Sequence, residues 1–485
     1  MGILRDLQQQ LQSQKITAVT LAEQYLARAE KEQGGRGTNA YITVDRDGAL
    51  AAARTADAAG YAAGAPALRG IPLAVKDNIV TRGLRTTCAS KILGDYKPPY
   101  DADVVRRLKA QGAVILGKLN MDEFAMGGSN ENSAFGPVGN PNDPARVAGG
   151  SSGGPAAAVK VGAAAATLGS DTGGSIRLPA SYCGVLGLKP TYGLVSRYGL
   201  VAFASSLDQI GPLAEDAEDA ALLLSAIAGR GGPMSDGDPW EQDAALAQKP
   251  TQDYLAAMNQ ELASYKKGTR LRIGWSPDLF QRKGTQPEVA AAVDAALEKL
   301  KAAGHHIVEV PLPHAHLSVA VYYIVAVSEA SSNLSRFDGV RFGARAPGAT
   351  LNEVYTKTRA LFGAEVKRRI VLGTYALSAG YYDAYYKKAC EVRRLIAQDL
   401  EKAFTACEMI LSPVAPTTAF KLGAKADPLQ MYLNDLLTIP ANLAGIPALS
   451  VPTGKDDGGL PVGVQLMGPR WSEARLLAVA KLLEV

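Results

Sequence analysis

Three polar residues, far apart in the chain, have the types and surroundings that could cleave an acyl bond. Lys76 directly follows the apolar run 71–75, which is typical of a buried strand. Ser151 lies in the loop sequence GGSSGG, and Ser175 ends the sequence DTGGS. A serine hydroxyl is a weak nucleophile until a base accepts its proton, and lysine can be that base only when it is uncharged. Because burial lowers the pKa of a lysine, the end of a buried strand suits this role.

The glycines that precede Ser175 indicate a second catalytic element. Successive glycines let backbone N–H groups converge without interference from side chains, and convergent donors stabilise a developing oxyanion. Each pattern alone also fits an ordinary structural role. Lys76 could mark the point where a strand meets solvent, the GGS sequence could be a flexible turn, and GGSSGG at 149–154 could be a loop or a phosphate nest.

Two other motifs suggest different chemistry. The sequence GAVILGKL at 112–119 nearly matches a nucleotide-binding P-loop, but Leu119 replaces the Ser or Thr that would hold magnesium. The sequence GGSSG at 149–153 matches the nucleophile elbow of α/β-hydrolases, which follows a buried strand and needs a histidine. The preceding residues 140–146 predict a turn, and the four histidines cluster at 305–316, so a histidine-dependent esterase stays a minority hypothesis.

The order of the three residues is similar to that of the amidase signature family. The segment 149–184, GGSSGGPAAAVKVGAAAATLGSDTGGSIRLPASYCG, resembles the signature of that family along nearly its whole length. The resemblance implies that Lys76 is the base, that Ser151 relays the proton and follows a cis peptide bond, and that Ser175 is the nucleophile. It also implies an oxyanion hole, formed by the N–H groups of Thr172, Gly173, Gly174 and Ser175.

Four further segments resemble one branch of this family, the glutaminase subunits of aminoacyl-tRNA amidotransferases: 205–212, 329–343, 365–389 and 438–452. Glutamine is a zwitterion, so its site needs a cation for the carboxylate and an anion for the ammonium group. By similarity the candidates are Arg369, with Arg368 as its alternative, and Asp435. Tyr322 or Tyr323 would complete the pocket.

The branch also implies partners. Glutamine would be hydrolysed through an acyl-enzyme, and the ammonia would convert Glu-tRNA(Gln), or Asp-tRNA(Asn), to the amidated product. A second protein, the amidotransferase B subunit, would hold ATP, magnesium and the misacylated tRNA. A small C subunit would complete a heterotrimer, and this chain would carry no cofactor or metal of its own. A stand-alone amidase that acts on other amides, and a non-catalytic binding protein, are the alternatives.

Composition agrees with an ordinary globular enzyme. The 485 residues carry 51 basic and 47 acidic side chains, a net charge of +4, which gives no support to a large nucleic-acid-binding face. The four cysteines form no CxxC pair, so we expect free thiols in a reducing compartment. The polar N-terminus has no signal core, and no apolar stretch approaches the ~18–20 residues of a membrane span. We therefore expect a cytoplasmic protein that does not enter a membrane.

Alternating helical and strand patterns predict an α/β fold, with a central mixed β-sheet covered by helices on both faces. We expect one domain over 1–485, with two helices in 1–31 and a polar surface insert at about 229–253. Residues 20–23 read as a capping box, Asp101 as a helix cap, 127–154 as loops and 169–175 as a turn. Segments 449–453 and 460–467 predict a β-hairpin.

Overall fold

The first strand that the structure describes begins at Tyr41, and the last one ends at Met467. The computed structural model describes residues 2–62, 64–229, 252–280, 284–424 and 431–484. The strands in these ranges are β1 Tyr41–Val44, β2 Pro72–Lys76, β3 Val114–Leu119, β4 Gly139–Asn140, β5 Asp143–Val147, β6 Ala166–Asp171, β7 Leu186–Lys189, β8 Gln209–Ala214, β9 Arg272–Trp275, β10 His306–Glu309, β11 Met409–Pro413, β12 Ala448–Lys455 and β13 Pro461–Met467. Eleven of them form one sheet in the order β1-β3-β2-β6-β8-β7-β12-β13-β11-β9-β10, and β4 pairs with β5.

Helices precede, connect and follow these strands. They are α1 Ile3–Gln12, α2 Ala18–Ala29, α3 Arg46–Ala59, α4 Asp103–Ala110, α5 Gly153–Lys160, α6 Arg177–Cys183, α7 Ala217–Ile227, α8 Tyr254–Lys266, α9 Pro287–Ala302, α10 Ser318–Leu334, α11 Leu351–Arg359, α12 Ala364–Ala376, α13 Lys388–Ala406, α14 Ile439–Ala444 and α15 Glu473–Leu483. None of the helices in the described ranges has both the length and the apolar character that a membrane crossing requires.

Three adjacent strands, β3, β2 and β6, run parallel to one another near one end of the sheet. Every residue in them is buried, which explains why the sequence shows continuous apolar runs there rather than alternation. In open α/β sheets, ligands bind beyond the carboxyl ends of the parallel strands. The strands end at Leu119, Lys76 and Asp171, so their last residues meet at one edge of the sheet.

The fold class is confirmed. The sheet is mixed, because β6, β8, β7, β12, β13 and β11 pair antiparallel while the strands at each side include parallel pairs. The two N-terminal helices and the hairpin of β12 and β13 are present as the sequence predicts. The predicted insert at 229–253 lies almost entirely outside the described residues.

Two predicted helix caps are wrong. Helix α2 begins three residues earlier than the proposed capping box, because Thr17 adopts an extended conformation and its side chain accepts the N–H of Thr20 at 3.1 Å. Asp101 does not cap α4. Its carboxylate accepts the N–H of Arg82 at 2.8 Å and pairs with Lys109, while the helix begins after Ala102 without a side-chain cap.

Two predicted loops also contain regular structure. Within 127–154, β4 and β5 form a short antiparallel ladder, so the predicted turn at 140–146 is in part a strand. This strand is largely exposed, unlike the buried strand that leads into a nucleophile elbow. The predicted turn at 169–175 begins later than expected, because Gly169–Asp171 continue β6 and pair with β8.

Candidate active site

The Lys76 amine lies at the carboxyl end of β2 and is surrounded by serines. Its Nζ is 2.7 Å from Ser151 Oγ, 2.9 Å from Ser152 Oγ and 3.0 Å from Ser170 Oγ, and it also donates to the Ser170 carbonyl at 3.3 Å. Lys76 is fully buried, and no carboxylate of the described residues lies within ion-pairing distance of it. The structure therefore brings Lys76 and Ser151 together, although they are 75 residues apart in the chain.

Burial changes the chemistry of this amine. Loss of solvent lowers the pKa of Lys76 to about 7, while the charges of Asp122, Asp171 and Asp208 oppose this change. A substantial fraction of the amine is therefore uncharged near neutral pH. An uncharged amine has a lone pair that can accept a proton from one of the neighbouring hydroxyl groups.

Ser151 and Ser175 are held by two loops that contact each other. The Gly150–Ser151 peptide bond is cis, as the family resemblance implies. The backbone N–H of Ser152 donates to the carbonyl of Ser175 at 3.1 Å, so the two loops are joined next to both candidate residues. Ser175 lies in the short turn between the end of β6 at Asp171 and the start of α6 at Arg177, beyond the carboxyl end of a strand adjacent to β2.

The backbone amides before Ser175 differ in one respect from the sequence prediction. The N–H groups of Thr172, Gly173 and Ser175 have no acceptor among the residues that the structure describes. The N–H of Gly174, in contrast, donates to Asp171 Oδ1 at 2.9 Å, so it is not available to an oxyanion. Burial raises the pKa of Asp171, but the charge and hydrogen bonds of Arg177 outweigh this and hold it at about 2, so Asp171 is ionised. Hydrogen bonds to an ionised carboxylate are stronger than those between neutral groups, so this one holds the Gly174 amide firmly.

Asp171 also fixes the shape of the loop. It accepts hydrogen bonds from the Ile176 amide, from the Arg177 guanidinium and from Asn442 Nδ2. At Gly174 the backbone has a φ of 144°, and an added Cβ would lie 2.3 Å from Thr438 Oγ1. Thr438 donates in turn to the Gly173 carbonyl at 2.6 Å. Gly174 is therefore required for two reasons. A side chain there would clash with Thr438, and residues with side chains rarely adopt its backbone conformation.

The two arginine candidates for a substrate carboxylate have different environments. Arg369 is buried, and its guanidinium carbon lies 5.4–5.6 Å from the ring centroids of Phe203, Tyr323 and Tyr432. Its Nε donates to Glu365 Oε1 at 2.8 Å, and its two terminal nitrogens have no acceptor in the described part of the chain. Arg368 is 43% exposed and pairs with the same glutamate from the outer side of α12. Arg369 is thus the residue that faces the interior.

Tyr322 and Asp435 each lie close to a glycine of a different loop, Gly173 and Gly128. A Cβ at Gly173 would be 2.6 Å from the Tyr322 ring, so this tyrosine packs directly on the loop that precedes Ser175. A Cβ at Gly128 would be 3.6 Å from Asp435 Oδ2, and burial raises the pKa of this carboxyl to about 8. Tyr323 turns away to stack on Tyr432, with ring centroids 3.8 Å apart. Tyr322 is therefore closer to the candidate nucleophile loop than its neighbour.

The histidines that an esterase would need and the P-loop-like segment have other places in the structure. His305 Nδ1 accepts the N–H of Leu271, His314 pairs with Asp399, and His316 contacts the carbonyl of Pro313. These histidines lie before and after β10, the strand at the opposite edge of the sheet. The P-loop-like segment forms β3, and the Lys118 side chain is inside the protein. Within the described ranges, no group of three or more His, Cys, Asp or Glu residues could hold a metal ion.

Sequence reasoning missed two serines that hold the lysine. Ser152 accepts from Lys76 and donates to the Ser170 carbonyl at 3.1 Å, and Ser170 also accepts from Asn78 Nδ2 at 2.9 Å. The position of Ser152 next to Ser151 was the available signal. Ser170 had no local signal, because its role depends on the pairing of β2 with β6.

Comparison with known proteins agrees with this geometry. The chain matches the Amidase family model over residues 20–477. It is 54% identical over 478 residues to the A subunit of the glutamyl-tRNA(Gln) amidotransferase from Koribacter versatilis (strain Ellin345), and the match covers 98% of this chain and 96% of that protein. The crystal structure of the A subunit of the glutamyl-tRNA(Gln) amidotransferase from Thermotoga maritima is similar with a TM-score of 0.76 and 40% identity, covering 99% of this chain and 94% of that one. The native peptide amidase of Stenotrophomonas maltophilia is similar with a TM-score of 0.78 and 32% identity, covering 100% and 96%.

Proposed function

This chain belongs to the Amidase family and, within it, to the glutamyl-tRNA(Gln) amidotransferase A subunits, and we propose that it hydrolyses glutamine to supply ammonia for amidation of tRNA-bound glutamate. The observation that supports this most directly is the Lys76 amine, which is buried, has a lowered pKa and lies 2.7 Å from Ser151 Oγ. This arrangement can activate a serine without histidine.

In the proposed reaction, uncharged Lys76 accepts the hydroxyl proton of Ser151 while Ser151 accepts the hydroxyl proton of Ser175. Ser175 Oγ then forms a bond to the carboxamide carbon of glutamine, and the carbonyl π electrons move onto its oxygen. The amides of Thr172, Gly173 and Ser175 donate to this oxyanion, which is the largest stabilisation that such sites usually provide. Gly174 shapes the loop, but its N–H remains on Asp171.

Breakdown of the tetrahedral intermediate uses the same groups, with the proton moving in the opposite direction. The carbon–nitrogen bond breaks, and the proton held by Lys76 returns through Ser151 to the departing nitrogen, which leaves as ammonia. A γ-glutamyl ester remains on Ser175. Water then attacks this ester with Lys76 and Ser151 again accepting the proton, which releases glutamate and restores the Ser175 hydroxyl.

The proposed glutamine pocket uses the charges near Gly173. The free end of the Arg369 guanidinium would hold the α-carboxylate in a bidentate manner. Asp435 would hold the α-ammonium, and arrival of that cation would favour the ionised carboxylate, which burial alone disfavours. Tyr322 would close the pocket on the side of the oxyanion loop. A substrate that lacks either α-group would leave one of these charges unpaired.

Use of the ammonia requires partner subunits. We propose that a B subunit carries ATP, magnesium and the misacylated tRNA, that a small C subunit completes the heterotrimer, and that the complex works in the cytoplasm. Named relatives of this chain are A subunits of glutamyl-tRNA(Gln) amidotransferases, which supports the existence of partner subunits. Measuring amidation of Asp-tRNA(Asn) by the assembled complex tests whether that tRNA is also an acceptor.

The proposal is tested by trapping the acyl-enzyme in the assembled complex. The chain is co-purified with amidotransferase B and C subunits, supplied with glutamine and misacylated tRNA, and treated with hydroxylamine. We expect ammonia, amidated tRNA and γ-glutamyl hydroxamate from the wild type. The variant Ser175→Ala should lose ammonia release by roughly 10³-fold or more, because the nucleophile of a catalytic unit carries most of its rate enhancement.

The matched control is Ser264→Ala in α8, whose hydroxyl donates to the carbonyl of Glu261 at 2.7 Å in the same helix. It should retain full activity. If Ser175→Ala remains active, or if the wild-type complex releases ammonia briskly from simple aliphatic amides and ignores glutamine, the proposed function is wrong. The second result would instead support a stand-alone amidase.

A further inference from the structure

Asp122 lies beyond the carboxyl end of β3, next to the site but outside the set of residues that the proposed reaction uses. It is completely buried. Its Oδ2 accepts the N–H of Asn130 at 2.9 Å and its Oδ1 accepts the N–H of Asn132 at 3.1 Å. Its bonded partners are thus backbone amides, and no cation of the described residues is paired with it.

The same residue contacts the backbone that presents Ser151. The N–H of Asp122 donates to the Ser151 carbonyl at 3.3 Å. A Cβ at Gly150 would lie 2.0 Å from Asp122 Oδ2, and the Gly150 N–H donates to the Gly128 carbonyl at 2.9 Å. Asp122 and the segment that it organises therefore contact the backbone at Gly150 and at the Ser151 carbonyl.

The turn that follows Asp122 has an unusual conformation. Phe124 and Ala125 have φ angles of 50° and 61°, in the left-handed region that side chains other than glycine rarely adopt. This turn directs Glu123 away from Asp122, so that Glu123 Oε2 accepts the N–H of Gly363 at 2.7 Å at the start of α12. Strain of this kind persists where surrounding contacts enforce it and is concentrated at functional sites.

The negative charge of Asp122 affects the pKa of the Lys76 amine. Among the charges that act on Lys76, that of Asp122 has the largest effect, followed by Asp171, Asp208 and Cys88, and each raises the pKa of the lysine. Asp171 is already paired with Arg177, and Asp208 accepts from the Thr172 hydroxyl at 2.8 Å. Burial raises the pKa of Asp122 itself to about 6, so Asp122 is ionised in the range in which Lys76 changes its charge.

We propose that Asp122 is a positioning residue for amide cleavage, which fixes the backbone of Ser151 and places a negative charge near the Lys76 amine. This inference rests on the proposed function, because it assigns a role relative to Lys76 as base. Burial alone would leave Lys76 a weaker base. The Asp122 charge offsets part of that effect and keeps the amine basic enough to accept a serine proton near neutral pH.

The test is the pH dependence of ammonia release from glutamine by the assembled complex, measured for the wild type, Asp122→Asn and Asp122→Ser. In the wild type the rate should rise with pH through about 7, as Lys76 loses its proton. Without the negative charge, Lys76 holds its proton less tightly, so the midpoint should move down by about one pH unit, the lower end of the effect of a near opposite charge. The plateau rate should also fall.

Two controls separate the role in catalysis from a role in folding. Asp219→Asn removes another buried carboxylate, one that accepts the N–H of Leu4 at 3.1 Å, and it should leave the midpoint unchanged. Asp122→Ser removes the same charge with a smaller side chain, so it provides the measurement if Asp122→Asn does not fold. Circular dichroism and the thermal midpoint establish that each variant is folded.

The outcomes distinguish the two proposals. A lower plateau with an unchanged midpoint in both Asp122 variants means that the residue is only structural, and the inference is overturned. An unchanged plateau and midpoint overturn it as well. A wild-type rate that is flat across this pH range, together with activity in Lys76→Met, contradicts the proposed function instead.

Discussion

Lys76 and Lys118 occupy nearly equivalent positions on adjacent parallel strands, β2 and β3. Both side chains are fully buried, and burial lowers the pKa to about 7 for Lys76 and to about 8 for Lys118. A perturbed pKa in a buried site is a common indicator of catalysis. By that measure the two lysines are hardly distinguishable.

Their neighbours distinguish them. Lys118 Nζ donates to the carbonyl of Ile79 and to Thr86 Oγ1 at 2.9 Å, and it lies 3.7 Å from Asp77 Oδ1. Lys76 has three serine hydroxyls around it and no carboxylate partner among the described residues. A third buried lysine, Lys189, also has a pKa of about 7, and it donates to the carbonyls of Pro190 and Ile446.

The difference shows what a lysine base requires besides burial. A carbonyl or a carboxylate can only accept a hydrogen bond, so it stabilises the protonated amine and offers it no proton. A hydroxyl can both donate and accept. Among the described contacts, Lys189 has only carbonyl acceptors, and Lys118 has one hydroxyl, that of Thr86, beside the Asp77 carboxylate. Lys76 differs from both because three hydroxyls surround it, among them that of Ser151, which the proposed reaction uses.

The largest expected effect comes from removing each amine in turn. Lys76→Met should lower kcat for glutamine hydrolysis by roughly 10²–10⁴-fold, the usual contribution of a general base, with little loss of stability. Lys118→Met should retain most of the activity but destabilise the protein by roughly 3–5 kcal/mol, since it leaves the Asp77 carboxyl buried without its cation. Ammonia release and chemical denaturation measure the two effects.

The result that would remove the distinction is a comparable loss of kcat in both variants at a pH where both are folded. Lys118→Arg is the conservative control. At position 118 a guanidinium remains charged and can still pair with Asp77, although its larger volume strains the site. At position 76 a guanidinium cannot accept a proton, so Lys118→Arg should be more active than Lys76→Arg.

The residue types of the site are visible in the chain, but only the resemblance of segment 149–184 to the amidase signature joins them into one set. Lys76 follows an apolar run, and Ser151 and Ser175 lie in glycine-rich sequences whose length and order are specific. Amphipathic stripes and the hairpin sequence also predict α1, α2, β12 and β13 well. These features depend on residues within a few positions of one another.

The remaining features depend on residues that only the fold brings together. The loss of the Gly174 amide to Asp171 follows from the charge that Arg177 maintains, and the serine hydroxyl of Ser170 reaches Lys76 through strand pairing. The cap of α2 is Thr17 and not the expected Thr20. Both residues are threonines, so only the backbone conformation determines which of them caps the helix. Sequence spacing carries no information about such choices.

The two lysines should affect the pH dependence of stability in the same way. The unfolded pKa of lysine is 10.5, so between about 7 and 10.5 the unfolded chain binds a proton at position 76 that the folded chain does not. Stability therefore increases with pH in this window, and the same holds for Lys118 from about 8 upward. The penalty for the buried ammonium is full below the folded pKa and disappears as the pH approaches 10.5.

Relative to Lys76→Met and to Lys118→Met, the wild type should gain about 1.4 kcal/mol of stability per pH unit between these limits. Urea denaturation at several pH values measures the difference between wild type and variant, which cancels the opposing contributions of buried tyrosines and cysteines. A variant whose stability runs parallel to that of the wild type would mean that the replaced lysine keeps an ordinary pKa in the folded protein.

The smallest expected effect concerns single hydroxyls that contact each amine. Ser152→Ala removes the 2.9 Å contact with Lys76 but keeps the backbone N–H that joins Ser152 to Ser175. Loss of one hydrogen bond of about 0.5–1.5 kcal/mol should lower kcat by roughly twofold to tenfold, because the amine is less well directed toward Ser151. Thr86→Val removes the corresponding contact of Lys118 and should leave kcat unchanged. Equal changes in the two variants would show that the hydroxyls only satisfy buried amines, and that the serines around Lys76 have no part in proton transfer.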